Sequence, residues 1–312
     1  MTSLSVIDQW KPLIDLVTDS VSSGESRKAY RQAMQHFLKW YLAGLNSTFS
    51  KATIQRYRAE LLSEGLASST INLRLCAIRR LAQEAADNGL LPESTAQAIG
   101  RIRGVPQHGT RTGMWLTLEQ AEKLILTPDP ETLAGKRDRA LLGVLIGCGL
   151  RRDEAARLKV GDIQLREARW TIVDLKGKGN RTRTVPMPNW EKVLIDQWLT
   201  HLETRAGPFA MNLNSHVFWP INRGDRPHPG PMTPHSIWVA VLKHARKAKL
   251  GVAPHDLRRT FAKLAHKGRA QLEQIQISLG HASIQTTERY LGVHQDLTDA
   301  PCDHLGIRLE EN

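Results

Sequence analysis

The sequence predicts a mainly helical α+β protein in which an all-α N-terminal domain precedes a domain with a small antiparallel β-sheet. Three observations predict this class. The first hundred residues carry only helix-type apolar spacings, and the segment from Arg101 to Gly113 has no hydrophobic period. Strand-like residues then flank the turn sequence that runs from Lys176 to Asn180.

The first helix is predicted from a stripe of apolar residues near the N-terminus. They recur at alternating intervals of three and four, which places them on one helical face; they are Ile7, Trp10, Ile14, Val17 and Val21. Three further helices are predicted at 25–43, 50–64 and 69–87, each followed by glycine or Asn-Gly, and a short one at 93–99. We therefore expect an N-terminal domain that is helical throughout.

The second domain is predicted to be mostly helical around one β-hairpin. Thr117 caps a helix that runs through Leu126, and a long apolar helix covers 133–148. Residues 170–174 and 183–187 form the predicted hairpin. Later helices are predicted to begin at Thr233-Pro234 and to cover 255–267, 272–279 and 283–290.

Composition narrows the class of protein. The chain has 312 residues, a formal net charge of +12 and a pI near 9.9, which attracts polyanions but also fits a merely basic surface. Cys76, Cys148 and Cys302 form no CxxC pair, so neither a disulfide framework nor a zinc ribbon is indicated. No apolar stretch approaches the ~20 residues of a membrane span, and we expect a soluble protein in a reducing cytoplasm.

Several arginines are candidates for contact with a nucleic acid. In the helix at 69–87 the apolar positions face inward, which leaves Arg74, Arg79 and Arg80 on other faces. A solvated helix face explains each of them equally well. Further candidates lie in or beside the basic segment after the first domain and beside the hairpin turn; they are Arg101, Arg103 and Arg181.

The second domain also carries basic groups at the ends of predicted elements. Arg151 directly follows the apolar run 141–150, where a buried helix ends. His255 and Arg258 are three residues apart at the start of an amphipathic helix, so they share one face with Cβ atoms about 5–6 Å apart. A lone HxxR pair is more often structural than catalytic.

Three more candidates lie near turns in the same domain. Lys178 lies between two glycines at the predicted hairpin tip, and His281 follows Gly280 at a corner between two helices. Tyr290 lies nine residues beyond His281. A Gly-Lys-Gly turn alone is usually just a turn, but the six groups together form a more specific pattern.

These segments resemble the phage-integrase, or tyrosine recombinase, family in order and spacing. The matching motifs are Gly149-Leu-Arg-Arg-Asp-Glu154 with Leu158 and Asp162, Gly177-Lys-Gly-Asn180 with Arg183 and Val185-Pro186, His255-Asp-Leu-Arg258 with Thr260-Phe261-Ala262, Leu279-Gly-His281, and Tyr290. The resemblance covers 114–295. It implies a SAM-like core-binding domain at 1–104, a linker at 105–113 and a catalytic domain at 114–312, with the two domains forming a clamp around DNA.

The resemblance implies a site-specific recombinase of a simple two-domain, Xer-like or mobile-element type. Such an enzyme cleaves and rejoins DNA through a 3′-phosphotyrosine, with no metal, nucleotide or other cofactor. Arg151 and Arg258 would bind the non-bridging oxygens of the phosphodiester with their guanidinium forks. Tyr290 would be the nucleophile.

The same resemblance implies functions for the remaining groups. His255 would take the proton of the tyrosine, Lys178 would protonate the departing 5′ oxygen, and His281 would hydrogen-bond the phosphate. Glu154 and Asp162 match acidic positions of the first motif, where we expect supporting or folding contacts.

Two departures from the family pattern affect local contacts. Arg259 stands where the family often has a second histidine, and Tyr290 is followed by Leu-Gly-Val-His294 instead of the common Tyr-x-His. Neither departure removes one of the six groups.

The implied partners are double-stranded DNA recombination sites and further copies of the chain, as dimers and tetramers on DNA. A partner recombinase or an accessory protein is a further possibility. The tail at 291–312 would either dock on a neighbouring protomer or fold back on its own domain.

Two other functions remain as alternatives at the level of sequence. A type IB topoisomerase uses a similar set of groups and relaxes DNA. A non-catalytic DNA-binding regulator would keep the fold without the reaction, although the intact Tyr290 argues against it. A metal-dependent nuclease would need clustered carboxylates, and the sequence shows no such grouping.

Overall fold

The computed structural model describes residues 3–44, 48–106, 114–177 and 181–291, with side chains from residue 10 onward except those of 289 and 290. The chain divides into two compact units, Met1–Thr110 and Arg111–Asn312. The first is helical, and the second combines helices with one three-stranded antiparallel sheet. The predicted mainly helical α+β class is confirmed.

The first unit contains five helices close to the predicted positions: α1 (Ser3–Asp19), α2 (Gly24–Ala43), α3 (Lys51–Ser63), α4 (Ser68–Asp87) and α5 (Glu93–Gly100). Their buried faces form a core that includes Met34, Phe37 and Tyr57, each without measurable exposure. The rings of Phe37 and Tyr57 meet edge to face at 5.1 Å. Apolar and aromatic burial therefore holds this unit together.

The last described segment of the first unit is fixed to α4 by one side chain. The amide of Asn72 donates to the carbonyl of Val105 at 2.9 Å and accepts from its N–H at 2.7 Å. A Cβ added to Gly104 would lie 2.6 Å from Asn72 Oδ1, so the segment passes close to the helix. Val105, the first residue of the predicted linker, is thus held to the helical unit.

The second unit contains eight described helices: α6 (Leu118–Leu126), α7 (Leu133–Gly147), α8 (Arg152–Arg157), α9 (Asn189–Ala206), α10 (Pro234–Lys247), α11 (Pro254–Lys267), α12 (Leu272–Leu279) and α13 (Ile284–Leu291). Helix α7 is buried along most of its length and forms the centre of the larger core. A smaller cluster of Ala262, Ile275, Leu279 and Leu291 joins α11, α12 and α13.

The sheet has the strand order β1 (Ile163–Arg166), β2 (Arg169–Lys176), β3 (Thr182–Pro186). Strands β2 and β3 form the predicted hairpin, in which Ile172 pairs with Val185 and Leu175 pairs with Arg183. Strand β1 was not predicted, because its four residues are too short to give a clear alternation. The N–H of Gly177 donates to the carbonyl of Arg181 at 2.8 Å, and residues 178–180 lie outside the described residues.

No helix in the described part of the chain is both long and apolar enough to cross a lipid bilayer.

Candidate active site

Arg151 is placed by a glycine turn at the end of α7. Gly149 has φ of +63°, and an added Cβ would lie 2.7 Å from Cδ1 of Phe261, so both the conformation and the space favour glycine. Arg151 then adopts an extended conformation as the residue that precedes α8. Its side chain is 28% exposed, so its guanidinium group is accessible to a ligand.

Glu154 lies beneath Arg151 and is almost completely buried. Its carboxylate accepts from the N–H and the guanidinium group of Arg151, both at 2.8 Å, and from the two terminal nitrogens of Arg183 at 2.9 and 3.0 Å. Burial alone would raise the pKa of Glu154, but the hydrogen bonds and charges of Arg183 and Arg151 outweigh it and lower the pKa to about 2. Glu154 therefore stays ionised and balances the arginines.

Arg183 connects three elements of the second unit. Besides its bidentate contact with Glu154, its Nε donates to the carbonyl of Ser278 in α12 at 2.8 Å. A Cβ added to Gly280 would lie 3.0 Å from Arg183 Cδ, and one added to Gly177 would lie 3.1 Å from its terminal nitrogen. The two glycines therefore leave room for this buried guanidinium group.

Arg258 is the second buried arginine of the site, with 1% exposure. Its terminal nitrogens donate to the carbonyls of Gly149 and Leu279, and one of them lies 3.9 Å from Glu154. The contact with Gly149 spans 109 residues of sequence. Arg258 thus holds together the chain segments that precede Arg151 and Gly280.

His255 lies one turn before Arg258 on α11 and is exposed at the mouth of the site. Partial desolvation of the imidazole is the largest cause that lowers its pKa, and the charges of Arg258 and Arg259 lower it further, while Asp256 opposes them. The ring is therefore mainly neutral at pH 7 and can accept a proton.

His281 is placed by the left-handed end of α12. Gly280 has φ of 62° and ψ of 42°, which stops the helix and directs the chain toward α13. Nδ1 of His281 lies 3.0 Å from Oγ1 of the buried Thr287 in α13. When the Thr287 hydroxyl donates to Nδ1, the neutral ring carries its proton on Nε2.

The electrostatics of His281 show which groups surround it. Burial is the largest cause that lowers its pKa to about 4, and the remaining causes are charges on Arg258, Arg151, Arg183 and His255. Because such repulsion is strongest between near neighbours, these five groups form one cluster. His281 is neutral at pH 7 in the absence of a bound anion.

Arg151, His255 and Arg258 line one pocket of about 340 Å³. The other residues that line it are Arg152, Asp153, Trp238, Ala253 and Pro254. Four of the six predicted groups, these three and His281, are therefore brought together. A cationic pocket backed by a buried carboxylate suits a phosphate whose negative charge increases during reaction.

The other two predicted groups are Tyr290 and Lys178. Tyr290 lies in α13, but its side chain is outside the described residues; the following Leu291 is buried against Ala262 and Leu279. Lys178 is also outside them. The preceding Gly177 is near the site, because a Cβ added there would lie 3.4 Å from Oε1 of Glu154.

Asp162 makes a different kind of contact. Its carboxylate accepts from the N–H of Lys159 at 2.9 Å and closes the short 3-10 turn Val160–Asp162. This contact stabilises the chain ahead of β1. It is a folding contact of the kind that the sequence led us to expect for Asp162.

The arginines predicted from sequence to contact a nucleic acid differ in the contacts that they make within the protein. Arg79 donates to the carbonyl of Ile102, so its guanidinium group supports the first unit. Arg74 donates to Nδ1 of His36 at 3.3 Å. Arg80 is exposed, with its guanidinium carbon 5.5 Å from the ring centre of Tyr30. The candidates that are exposed in the same way are Arg101, Arg103 and Arg181.

Sequence reasoning missed three residues of the site. Arg183 belonged to a recognised motif but had no assigned contact, and no local signal reveals its pairing with Glu154. Arg152 lines the pocket next to Arg151, and no sequence pattern predicted this. Trp238 stands three residues after His235, and this spacing on a helix was the available indication.

In the part of the chain that the structure describes, no three His, Cys, Asp or Glu side chains are grouped so that they could hold a metal ion.

Two family models match the sequence, and together they cover most of the chain. The model of the phage integrase family matches residues 114–296. The model of the phage integrase N-terminal SAM-like domain matches residues 7–89.

Several curated proteins are similar over most of their length. Tyrosine recombinase XerC of Chlamydia caviae is 32% identical over 260 residues, which cover 80% of this chain and 76% of that protein. XerC of Pelobacter propionicus is 30% identical over 295 residues (91% and 89%), and XerD of Pseudomonas aeruginosa is 29% identical over 289 residues (89% and 92%).

Solved structures share the fold. The XerH site-specific recombinase bound to a palindromic difH substrate, in a post-cleavage complex, has a TM-score of 0.69 and 23% identity, covering 85% of this chain and 76% of that one. A lambda integrase fragment bound as a dimer to a core site has a TM-score of 0.66 and 14% identity, covering 93% and 95%.

Proposed function

The chain belongs to the phage integrase family and is a tyrosine site-specific recombinase, and from that premise we propose which residues cleave DNA and how copies of the chain assemble on it. The observation that carries the assignment of residues is the convergence of Arg151, His255 and Arg258 on one pocket, with His281 in the same electrostatic cluster.

Arg151 and Arg258 bind the non-bridging oxygens of the scissile phosphate. The bound phosphodiester becomes more negative as the nucleophile approaches, and fixed guanidinium donors stabilise that charge without reorganising. Glu154 supports this function because its buried carboxylate holds the guanidinium group of Arg151. Arg183 completes the support from the other side of Glu154.

Tyr290 attacks the phosphorus and forms a 3′-phosphotyrosine. A phenol with a pKa of about 10 is ionised in about one molecule per thousand at pH 7, so the reaction needs a proton acceptor. The lowered pKa of His255 keeps its ring neutral and ready for this task. The charge of a bound phosphate opposes the repulsion from the arginines and raises the pKa of His255 again.

Lys178 donates a proton to the 5′ oxygen as the bond between that oxygen and phosphorus breaks. The bond between phosphorus and the tyrosine oxygen forms in the same step, so the ester is conserved. A 5′ hydroxyl from a second DNA can then reverse the step and join the strands without external energy. His281 assists by donating from Nε2 to a phosphate oxygen.

A covalent-trapping experiment tests this proposal. A pool of nicked DNA duplexes with a randomised centre is incubated with the full chain in EDTA, and DNA that becomes linked to protein is recovered from a denaturing gel. We expect an adduct whose DNA converges on one site, because the nick lets the short 5′ product escape and traps the enzyme. A joined product between two differently labelled duplexes distinguishes recombination from simple relaxation.

The matched control is Tyr290→Phe, which removes one oxygen atom. It should bind the selected duplex and form no adduct. Rejoining of strands by this variant at the normal rate would overturn the proposal, and so would the absence of any adduct with the unmodified chain.

We also propose that copies of the chain assemble as dimers and tetramers on DNA, with or without a partner recombinase or accessory protein. The second unit has an apolar groove of about 650 Å³ between α6, α9 and α11. Its exposed residues include Leu118, Leu126 and Trp190, which supports its use as a docking surface. The segment after Gly292 contains Leu297, Leu305 and Ile307 and is the proposed occupant from a neighbouring protomer.

Truncation tests this assembly. Deleting the residues after Gly292 should leave binding to a single site intact but abolish cooperative loading on a two-site duplex, and Leu126→Glu in the groove should have the same effect. Unchanged cooperativity would refute docking between protomers.

Since its substrate is cellular DNA, we propose a cytoplasmic location.

A further inference from the structure

The pocket that Arg151, His255 and Arg258 share also has an aromatic side. Trp238, in the first half of α10, lines the same cavity. It is half-buried, and the imidazole of His235 stacks beside its indole with ring centres 5.6 Å apart and planes inclined by 23°. The wall of the pocket thus includes one ring of a stacked pair.

Core packing does not account for Trp238. The buried residues of α10 are Ile237, Ala240, Val241, His244 and Ala245. Trp238 lies at the edge of this buried face, one turn before Val241, but it is only half-buried and is not among the side chains that pack against the apolar core. His235 is exposed one turn before it. A large ring that is partly exposed and borders a cationic pocket is available to a ligand.

The size and chemistry of the pocket indicate a ligand larger than one phosphate group. At about 340 Å³ it lies within the range of roughly 300–1,000 Å³ that is typical of small-molecule pockets. Arg151, Arg152 and Arg258 make its charged part cationic despite the carboxylate of Asp153, whereas Trp238, Ala253 and Pro254 supply apolar surface. A phosphodiester with an attached nucleoside combines the same two properties.

We propose that Trp238, backed by His235, is a stacking platform for the base of a nucleotide adjacent to the phosphate that Arg151 and Arg258 bind. This inference rests on the DNA cleavage proposed above. Every base has a π face, so such a platform holds the strand in position with little sequence readout. Trp238 is thus a positioning residue, since it touches the DNA but not the reacting atoms.

Strand exchange explains why a platform is useful at this position. The nucleotides next to the cleavage point must leave one duplex to enter another, and during the transfer they lose their original stacking neighbours. Unstacking a base costs a few kcal/mol, and contact with an aromatic side chain restores part of it. The platform lowers the cost of moving the strand while the phosphate stays bound.

The experiment combines a change in the protein with a change in the DNA. The nicked duplex recovered with the unmodified chain in the trapping experiment is prepared in an intact form, with all its bases present. It is also prepared in two forms that carry one abasic site, on one side or the other of the scissile phosphate. Single-turnover adduct formation is then measured for the unmodified chain and for Trp238→Ala.

We expect Trp238→Ala to slow cleavage of the intact duplex about tenfold, which corresponds to about 1.4 kcal/mol, near the lower end of base–aromatic stacking. At one of the two positions the abasic site should slow the unmodified chain by a similar factor. On that duplex Trp238→Ala should add no more than about a twofold loss, because the contact is already absent.

Three variants separate stacking from support of the pocket wall. Trp238→Phe keeps an aromatic face and should retain most of the rate, whereas Trp238→Leu keeps apolar volume and should lose the dependence on the base. Trp115→Ala removes another partly exposed tryptophan that does not line the pocket, so its effect should combine independently with the abasic site.

Losses that multiply for Trp238→Ala and both abasic sites would overturn the inference, because they would show that Trp238 acts through the protein alone. An unchanged rate for Trp238→Ala on the intact duplex would also overturn it. If the unmodified chain forms no adduct with any duplex, the recombinase function itself fails, which is a different result.

Discussion

The two units differ in what they bury. Among the described residues of the first unit, the buried polar side chains are the neutral Thr18 and Thr53. The second unit buries charged or titratable groups within its apolar core: Arg137, Asp138, Glu154, Glu191, His244 and Arg258. The first unit is thus an apolar scaffold, whereas the second maintains costly internal charges.

Burying a charge is unfavourable unless a partner and hydrogen bonds compensate for it. Asp138 has such partners, since it accepts from Arg137 at 2.6 Å and contacts His244 at 2.8 Å. Glu154 has them too, but one of its partners, Arg151, lines the proposed phosphate pocket. In the second unit, therefore, the ion pairs around Glu154 contribute both to stability and to the proposed chemistry.

The largest expected effect comes from Arg258, the buried cation that borders the pocket. Arg258→Gln should slow adduct formation on the selected duplex about a thousandfold, because loss of one charge-stabilising donor costs about 10²–10³ in rate and this one also holds two backbone carbonyls. Single-turnover assays at saturating DNA measure this effect. A loss below tenfold in a folded variant would contradict the assigned contact with phosphate.

The next effect links stability to pH through Glu154. Its pKa is lowered in the folded state, so its contribution is present above its ordinary pKa of 4.5 and is lost as the pH falls toward about 2. The shift corresponds to about 3 kcal/mol. Glu154→Gln should remove this acid-dependent part and lower the unfolding free energy at pH 7 by about 3 kcal/mol.

Chemical denaturation from pH 7 down to about pH 2, the range over which the contribution is lost, measures both quantities. Glu64→Gln serves as the control because Glu64 is exposed in the first unit, and it should follow the unmodified chain. Equal pH dependence in Glu154→Gln and the unmodified chain would contradict the role of Glu154 as the buried counter-charge.

Glu191 is expected to show the opposite pH dependence. Both of its carboxylate oxygens are buried without a hydrogen-bond partner among the described residues, and burial raises its pKa well above 4.5. The folded state therefore keeps a proton that the unfolded state releases, and stability falls as the pH rises above about 5, by at most about 1.4 kcal/mol per pH unit. Glu191→Gln should flatten this slope in denaturation curves from pH 5 to pH 8.

The packing around Glu191 gives an independent check. A Cβ added to Gly143 in α7 would lie 1.6 Å from Oε2 of Glu191, so Gly143→Ala should destabilise the second unit. A parallel pH slope for Glu191→Gln and the unmodified chain would show that the carboxyl group is ionised or paired at neutral pH.

The smallest effects are expected in the first unit, where the candidate cations lie on the surface. The double variant Arg101→Gln, Arg103→Gln should reduce the slope of log affinity against log salt by about 0.9 for each lost phosphate contact. Its unfolding free energy should change by less than about 0.5 kcal/mol. Titrations of the selected duplex at several salt concentrations measure the slope.

Arg79→Gln provides the matched control within the same unit. Arg79 donates to the backbone of Ile102, so its loss should lower the unfolding free energy and leave the salt slope nearly unchanged. A reduced slope with unchanged stability would instead make Arg79 a DNA contact and would weaken the view of the first unit as a scaffold with surface cations.

The helices and the hairpin could be predicted because their signals are local. The stripe from Trp10 to Val17 predicts α1, and Thr117 predicts the start of α6, where its side chain accepts from the N–H of Gln120. Helix α8 and strand β1 were not predicted, because six and four residues are too few to show a period. No bounds were predicted for α9 either, although it has 18 residues. The motif order also named Arg151, His255 and Arg258, which line the pocket.

The amino-acid sequence by itself predicted most of the helices, the hairpin, the two-part organisation and the candidate reactive groups, because periodicity, caps and motif spacing act between near neighbours. Only the tertiary structure decided that Arg183 shares the carboxylate of Glu154, that Arg79 serves the backbone of Ile102 and that Trp238 borders the pocket. Such contacts join residues far apart in the chain, and close packing, which has no local signature, selects them.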